Sequence, residues 1–156
     1  MKRLTSVLTL ATLLLTLAVG CHKNSERPAD LPPDMTPTKI TITQEGKPLE
    51  GASVMLKYNE PVKYPTSGIT DENGVATMVT YGFAGAQQGT AKVIVLKLVT
   101  EGETQGEEYG KNGDYGTDFH VVDAKYRSEE TTDLEITIGS KNVKETFDVG
   151  APVHEK

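Results

Sequence analysis

The chain has 156 residues, a formal net charge of −6 and a single cysteine. This length suits one domain with a real hydrophobic core. The acidic balance argues against a nucleic-acid-binding protein, which needs a cationic face to displace phosphate counterions, and one cysteine excludes both an internal disulfide and a cysteine-rich zinc site.

The N-terminal residues predict a leader that ends at the cysteine. Lys2 and Arg3 precede a mostly apolar stretch that ends in Gly20, directly before Cys21, which is the organisation of a secretory signal peptide. The stretch is shorter than the about 20 apolar residues that span a bilayer. The text AVGC resembles the lipobox of bacterial lipoproteins, with Ala18 where leucine is more usual. The resemblance implies cleavage before Cys21 and lipidation of its thiol; an ordinary secretory cleavage that leaves a free thiol is the alternative.

The segment after the cysteine predicts a tether. It is rich in proline and charged residues and has no apolar periodicity, so ordering it would bury too little apolar surface to offset the lost entropy. We therefore divide the chain into a signal peptide at residues 1–20, a disordered tether at 21–37, a β-sandwich at 38–150 and a tail at 151–156.

From Lys39 onward the residues alternate between apolar and polar, which predicts β-strands. In chain order the predicted strands are TKITITQ, ASVMLKY, SGIT, VATMVTY, TAKVIVLKLVT, DLEITIG and VKETFDVG. Turns of glycine, proline, asparagine and aspartate separate them. The pattern predicts an all-β, seven-stranded antiparallel Greek-key β-sandwich of the prealbumin-like or Ig-like kind. No convincing helical pattern follows Lys39, although residues 118–126 could contain one helical turn.

Alternation also predicts which side chains face the core. The predicted core residues are Ile40, Ile42, Val54, Leu56, Val75, Val79, Val93, Val95, Leu134, Ile136, Ile138 and Phe147. The longest strand then turns Ile94, Leu96 and Leu98 toward the opposite face, where a half-buried strand is usually polar. Either an internal segment covers these three side chains, through Phe119, Val121 and Tyr126, or the row docks a partner or a second copy of the chain.

Several of these stretches resemble a known family. EGKPLEGASVML, GITDENGVATMVTY, GTAKVIVLK, KYRSEETTDLEITI and VKETFDV are similar to the carboxypeptidase regulatory-like, or transthyretin-like, domain. The match is best to short lipoproteins of planctomycete-like bacteria, and it runs from about residue 38 to about residue 149. It implies a prealbumin-like sandwich. Ala91 stands where the family commonly has tyrosine, so we expect Tyr81 or Tyr126 to fill the core at that point.

Two arrangements could hold a metal ion. Asp71, Glu72 and Asn73 could form a calcium loop, but they lack the alternating oxygen ligands and the distant bidentate glutamate of such loops. His120 with Asp114, Asp118 and Asp123 could form a mixed nitrogen and oxygen site. Loop carboxylates are mostly solvated, and the sequence FHVV alternates like a strand with His120 on its polar side, so we expect no metal.

One motif could indicate an enzyme. Tyr126-Arg127-Ser128 is similar to the Tyr-Arg-Gly-Ser ending of 5-hydroxyisourate hydrolases, which share the transthyretin fold. In that family the motif closes the chain, whereas 28 residues follow Ser128 here, and the accompanying histidines are missing. Fold similarity alone does not confer a reaction.

A glycine-rich, acidic stretch occupies residues 101–118 and contains Tyr109 and Tyr115. Tyrosines among glycines can form an adaptable contact surface; a loop without a partner is the alternative.

Together these patterns predict a non-enzymatic, lipid-anchored module of the bacterial cell envelope, on the outer membrane or a periplasm-facing membrane. We expect no catalytic residue, cofactor, metal or nucleic-acid partner. The predicted sites are Cys21 for lipidation and a candidate surface for a protein or glycan partner, formed by Ile94, Leu96, Leu98, Tyr109 and Tyr115. The alternatives are an accessory protein of a secreted hydrolase or transporter and, third, a transthyretin-like hydrolase.

Overall fold

The computed structural model describes residues 27–103 and 115–156, so the predicted leader and Cys21 lie outside it. The described chain is all-β, with one 3-10 turn at Ala124–Tyr126. Its strands are β1 (Thr38–Gln44), β2 (Lys47–Pro48), β3 (Ser53–Tyr58), β4 (Thr66–Ile69), β5 (Val75–Thr77), β6 (Val79–Thr80), β7 (Phe83–Ala84), β8 (Gly89–Leu96), β9 (Leu98–Glu103), β10 (Tyr115–His120), β11 (Glu135–Ile138) and β12 (Val143–Asp148).

Two sheets enclose the core, and a separate ribbon extends from them. The larger sheet has the order β11-β8-β3-β4-β6-β7 with antiparallel neighbours. In the smaller sheet, β1 pairs with β12 on one edge and with β2 and β5 on the other. The β1–β12 pair is parallel, from Thr38 opposite Val143 to Thr43 opposite Asp148, which corrects the prediction of a wholly antiparallel sandwich. The ribbon consists of β9 and β10.

The strand count also differs from the prediction of seven. The run VATMVTY divides at Met78 because β5 pairs with β1 in the smaller sheet and β6 pairs with β4 in the larger one. The run TAKVIVLKLVT divides at Lys97, where β8 ends and β9 begins. The strands β2 and β7 have two residues each, too few to show an alternating pattern. β10 lies partly inside the glycine-rich stretch that predicted a loop.

The core confirms most of the predicted inward side chains and corrects four of them. Fully or nearly fully buried are Ile40, Ile42, Val54, Leu56, Val93, Val95, Ile136 and Ile138. Leu134 and Phe147 are only partly buried and pack against this cluster. Val75 and Val79 are half-buried, whereas Ala76, Met78 and Thr80 point inward. Thr80 can be buried because its hydroxyl donates a hydrogen bond of 2.9 Å to the carbonyl of Gly85.

The space beside Ala91 is filled by a residue that the sequence did not predict. Tyr58 on β3 lies directly opposite Ala91 on β8 and is only 7% exposed. Its hydroxyl donates to the carbonyl of Gln87 at 3.0 Å, and burial raises the pKa of the phenol. Of the two expected residues, Tyr81 is 58% exposed and Tyr126 packs against the edge of the core.

Residues beyond both predicted domain boundaries pair with the domain, at the sandwich on one side and at the ribbon on the other. Leu31 is buried, and Thr36 forms a bridge with Ala86 through two hydrogen bonds of 2.9 Å. Near the other end of the chain, Glu155 forms a bridge with His120. The part of the predicted tether that the structure describes is therefore packed against the domain, because backbone pairing and burial offset its loss of entropy.

Candidate functional site

The outer face of the larger sheet carries a row of apolar side chains. Leu96 lies opposite Ser53, which lies opposite Ile69, and Ile94 lies opposite Met55 on the same face. Paired residues on neighbouring strands point to the same side of a sheet. Ser67 lies opposite both Met55 and Val79, which places Val79 on this face as well. We call Met55, Ile69, Val79, Ile94 and Leu96 the outer patch. Ile69 is 72% exposed and the others are half-buried.

A charged row borders the outer patch on the same face. Lys92 lies between Glu135 and Lys57 in the strand register, and Lys57 forms an ion pair with Glu129 at 3.0 Å. Both partners of that pair are well exposed, so the pair itself contributes little to stability. The face is therefore polar at the end where β8 begins and apolar at the end where β8 finishes.

The structure separates the residues of the predicted partner surface. Ile94 and Leu96 belong to the outer patch, but Leu98 lies beyond the break at Lys97, in the ribbon, and is 52% exposed. Tyr115 is the first residue of β10, and the structure does not describe its side chain. Tyr109 lies outside the described residues.

The residues expected to cover this row have other contacts. The ring of Phe119 stacks on the imidazole of His154, with centroids 3.9 Å apart. Tyr126 packs against the edge of the core, and the backbone N–H of Val121 donates to the carbonyl of Lys97.

The carboxylates near His120 take part in local hydrogen bonds. Asp118 accepts a hydrogen bond of 2.7 Å from the hydroxyl of Thr100, and Asp123 accepts one of 2.8 Å from the backbone N–H of Lys125 at the start of the 3-10 turn. Among the described residues, no three histidine, cysteine, aspartate or glutamate side chains are placed to hold a metal ion. Asp114, the remaining residue of the candidate metal site, lies outside the described residues.

The turn at Asp71 is organised by hydrogen bonds to its own backbone. One carboxylate oxygen of Asp71 accepts from the backbone N–H groups of Asn73 and Val75, each at 2.9 Å. This is the arrangement of an Asx turn. The carboxylate thus stabilises the connection into β5.

The Tyr126-Arg127-Ser128 motif does not converge on one point. Tyr126 packs against the core, Arg127 pairs with the carboxylate of Glu155, and the hydroxyl of Ser128 donates to Glu130. Within the described chain, two buried side-chain nitrogens have no hydrogen-bond partner, His120 Nδ1 and Arg127 Nε. The three side chains of the motif thus contact three different partners, and the motif does not form one common site.

A cluster of aromatic rings, not predicted from the sequence, lies at the end of the larger sheet where β3 finishes. The rings of Tyr64 and Tyr81 are 4.8 Å apart at 50°, and Phe83 follows in the same hairpin. We call Tyr64, Tyr81 and Phe83 the aromatic end. An open groove of about 330 Å³ lies at the same end, lined in part by Tyr58 and Pro65.

The proline-rich segment before β1 lies on this aromatic end. The guanidinium of Arg27 is 5.5 Å from the centroid of the Phe83 ring. Asp30 pairs with Lys63 and accepts a hydrogen bond of 2.7 Å from the hydroxyl of Tyr64. The hydrogen bond from Lys63 lowers the pKa of Asp30, and the same contact raises the pKa of Lys63. The sequence signal for this contact was weak, since each partner lies in a segment without periodicity.

No family model and no curated protein matches this chain. Among solved structures, it is similar to the crystal structure of a variant of the major pilin subunit of Bacillus cereus, at 18% sequence identity and a TM-score of 0.42. The similarity covers 80% of this chain and 31% of the pilin chain, so this chain spans about a third of the pilin's length. The resemblance to carboxypeptidase regulatory-like domains thus stays a prediction from sequence motifs. In the described part of the chain, no helix has the length and apolar character needed to cross a membrane.

Proposed function

We propose that this protein is a non-enzymatic module of the bacterial cell envelope, anchored by a lipid on Cys21, which docks a protein partner through the outer patch. The observation that carries the docking role is the outer patch itself. Five apolar side chains share one sheet face, and Ile69 among them is 72% exposed. Contiguous exposed apolar surface on a soluble domain marks interaction sites.

The chemistry of the patch favours a protein over a glycan. The polar side chains between the apolar ones are the short hydroxyls of Ser53 and Ser67, which offer few hydrogen bonds to a sugar. Protein interfaces have an apolar centre with a polar rim, and the charged row of Lys57, Lys92 and Glu135 supplies such a rim along one side.

The leader supports the anchoring role. Its cationic start, its apolar stretch and its sole cysteine after Gly20 match the organisation of a lipoprotein leader. A single unpaired cysteine in an oxidising compartment would otherwise be a reactive liability. More than one acyl chain, at about 0.8 kcal/mol per buried CH₂, anchors a protein stably.

Site-specific photo-cross-linking in intact cells tests the docking role. A photoreactive side chain in place of Ile69 should yield a discrete adduct with an envelope protein. The same side chain in place of Thr137, which is exposed on the same face beyond the charged row, should yield none. Leu96→Glu should abolish the adduct at position 69. An absent adduct, equal adducts at both positions, or an adduct that survives Leu96→Glu would refute docking through this surface.

The alternative proposal, an accessory protein of a secreted hydrolase or transporter, shares the same surface. It predicts that the adduct at position 69 contains that enzyme or transporter. An adduct of two copies of this chain would instead indicate self-association, in which case the proposed hetero-partner is wrong.

A further inference from the structure

The chain enters the domain at its aromatic end. Arg27 lies over Phe83, Asp30 contacts Lys63 and Tyr64, and the backbone then pairs with Ala86 before β1 begins. We call residues 27–36 the strap. Because these contacts fix the strap on the domain, any pull from the N-terminal side acts at this end of the sandwich.

Arg27 lies six residue steps after Cys21, with five residues between them. Even fully extended, six residues span no more than about 20 Å. An eight-residue strand such as β8 is itself about 26 Å long. A lipid on Cys21 would thus hold the aromatic end within about 20 Å of the membrane surface and leave the opposite end, with Leu96 and Ile69, further away.

Tyr81 occupies an unusual position at this end. It forms with Gly82 the two-residue connection between β6 and β7, and both have positive φ, 50° and 81° respectively. Asparagine, aspartate or glycine is the usual first residue of such a turn, because a side chain with a bulky Cβ resists this conformation. The sequence thus places a large aromatic side chain, 58% exposed, where the backbone disfavours it. Glu45 has the same conformation, with φ of 51°, in the equivalent turn between β1 and β2, so the feature that distinguishes the β6–β7 turn is its large exposed aromatic side chain.

We infer that the aromatic end is a membrane-contacting surface, which the strap turns toward the bilayer so that Tyr81 and Phe83 enter the headgroup region. This inference rests on the proposed lipid anchor at Cys21. Tyrosine is enriched at membrane interfaces because its apolar ring contacts the acyl region while its hydroxyl stays hydrated. The charges of the strap and of its contact residue Lys63 sum to zero, with Arg27 and Lys63 against Asp30 and Asp34, so the contact suits a zwitterionic lipid surface.

The chain contains no tryptophan and one cysteine, which permits a direct measurement. Residues 21–156, which include every described element, are coupled through Cys21 to maleimide-bearing lipid in phosphatidylcholine vesicles, with or without bromine on the acyl chains. Tyr81→Trp supplies one fluorophore at the aromatic end. Leu98→Trp, at an exposed position near the opposite end, is the matched control.

Brominated vesicles should quench the indole at position 81 at least about twofold, because it would lie at the headgroup level, and should leave the indole at position 98 unquenched. The double variant Asp30→Ala/Leu31→Asp, which removes the partner of Lys63 and Tyr64 and places a charge at the buried position of the strap, should reduce the quenching at position 81. Equal quenching at both positions, or none at position 81 in both Tyr81→Trp and a second reporter, Phe83→Trp, would overturn the inference. Unchanged quenching in Asp30→Ala/Leu31→Asp would refute the role of the strap.

The chemical coupling makes this outcome independent of the native anchor. If Cys21 carries no lipid in cells, the proposed anchoring fails while the vesicle measurement can still succeed. If the anchor is present and position 81 is not quenched, the membrane-contacting surface alone is wrong.

Discussion

The hydroxyl oxygen of Thr70 accepts a hydrogen bond of 2.7 Å from the backbone N–H of Ala52 inside the core. The same hydroxyl donates to the carbonyl of Leu49 at 2.6 Å. One buried side chain therefore satisfies two backbone polar groups of the β2–β3 connection, the N–H of Ala52 and the carbonyl of Leu49, at the point where the two sheets meet. Leaving such buried groups unpaired is costly.

Thr70→Val should lower the free energy of unfolding by about 2–3 kcal/mol, because it keeps the side-chain shape and leaves two buried backbone groups without a partner. Thr70→Ser, which retains the hydroxyl, should lower the free energy of unfolding clearly less than Thr70→Val does. Urea denaturation measures both variants. Thr137→Val, on the exposed face of β11, is the control, and a loss there equal to that of Thr70→Val would contradict the assignment.

Two glycines with similar φ differ in the space around them. Gly74 has φ of 73°, and a Cβ added there would lie 2.5 Å from the carbonyl oxygen of Ile42; Gly46 has φ of 75° with nothing within 4 Å of such an atom. Gly46→Ala should cost about 1 kcal/mol from backbone strain alone. Gly74→Ala should cost about 3 kcal/mol or more, since overpacking adds to the same strain. Equal denaturation midpoints would show that the close approach of β1 to this turn is wrong.

The inward face of the sandwich can be tested by truncation. Val95→Ala and Ile136→Ala should each cost about 2–4 kcal/mol through lost packing and a residual cavity. Val79→Ala removes the same groups as Val95→Ala from a half-buried position on the outer face, and it should cost less than about 1 kcal/mol. If Val79→Ala proved as costly as Val95→Ala, the orientation of β6 would be reversed.

Asp148 links β12 to the β1–β2 turn and should make stability depend on pH. Its carboxylate accepts hydrogen bonds from the backbone N–H groups of Gly46 and Gly150, each at 2.8 Å, and from the hydroxyl of Thr43 at 2.7 Å. These bonds, that of Gly46 first, lower the pKa of Asp148 in the folded state. A lowered pKa stabilises the fold above the unfolded value of about 3.9 and loses this contribution as the pH falls below that value toward the folded pKa.

Asp148→Asn should therefore lower the urea midpoint at neutral pH, and its difference from the unmodified protein should shrink below about pH 3. Glu145→Gln, an exposed position on the same strand, controls for the loss of one negative charge. A difference that stays constant from pH 7 to about pH 2.5 would mean that the charge of Asp148 has no part in the effect.

The sequence predicted the fold class because strands such as β3 and β8 alternate clearly between buried and exposed residues. The predicted inward and outward faces of VATMVTY are wrong because the chain changes sheet at Met78 and because the hydroxyl of Thr80 is hydrogen-bonded inside the core. Hydropathy indicates neither feature. The parallel β1–β12 pair joins residues about a hundred positions apart, and no local pattern shows such pairing.

The sequence indicated part of the outer patch and missed the aromatic end, for two different reasons. Ile94 and Leu96 were found because they break the polar alternation expected of an outer face. The aromatic end was missed because Asp30, Tyr64 and Tyr81 come from three loops. Their proximity depends on how the loops fold over the sheet end, not on spacing in the chain.

Both the envelope role and the membrane-contacting surface depend on a lipid at Cys21. Metabolic labelling of growing cells with palmitate, followed by isolation of the protein, measures this lipid directly. We expect palmitate label in the wild-type protein and none in Cys21→Ser. The variant should also keep its leader and migrate as a larger species. Equal labelling of both proteins, or none in either, would contradict the lipid anchor.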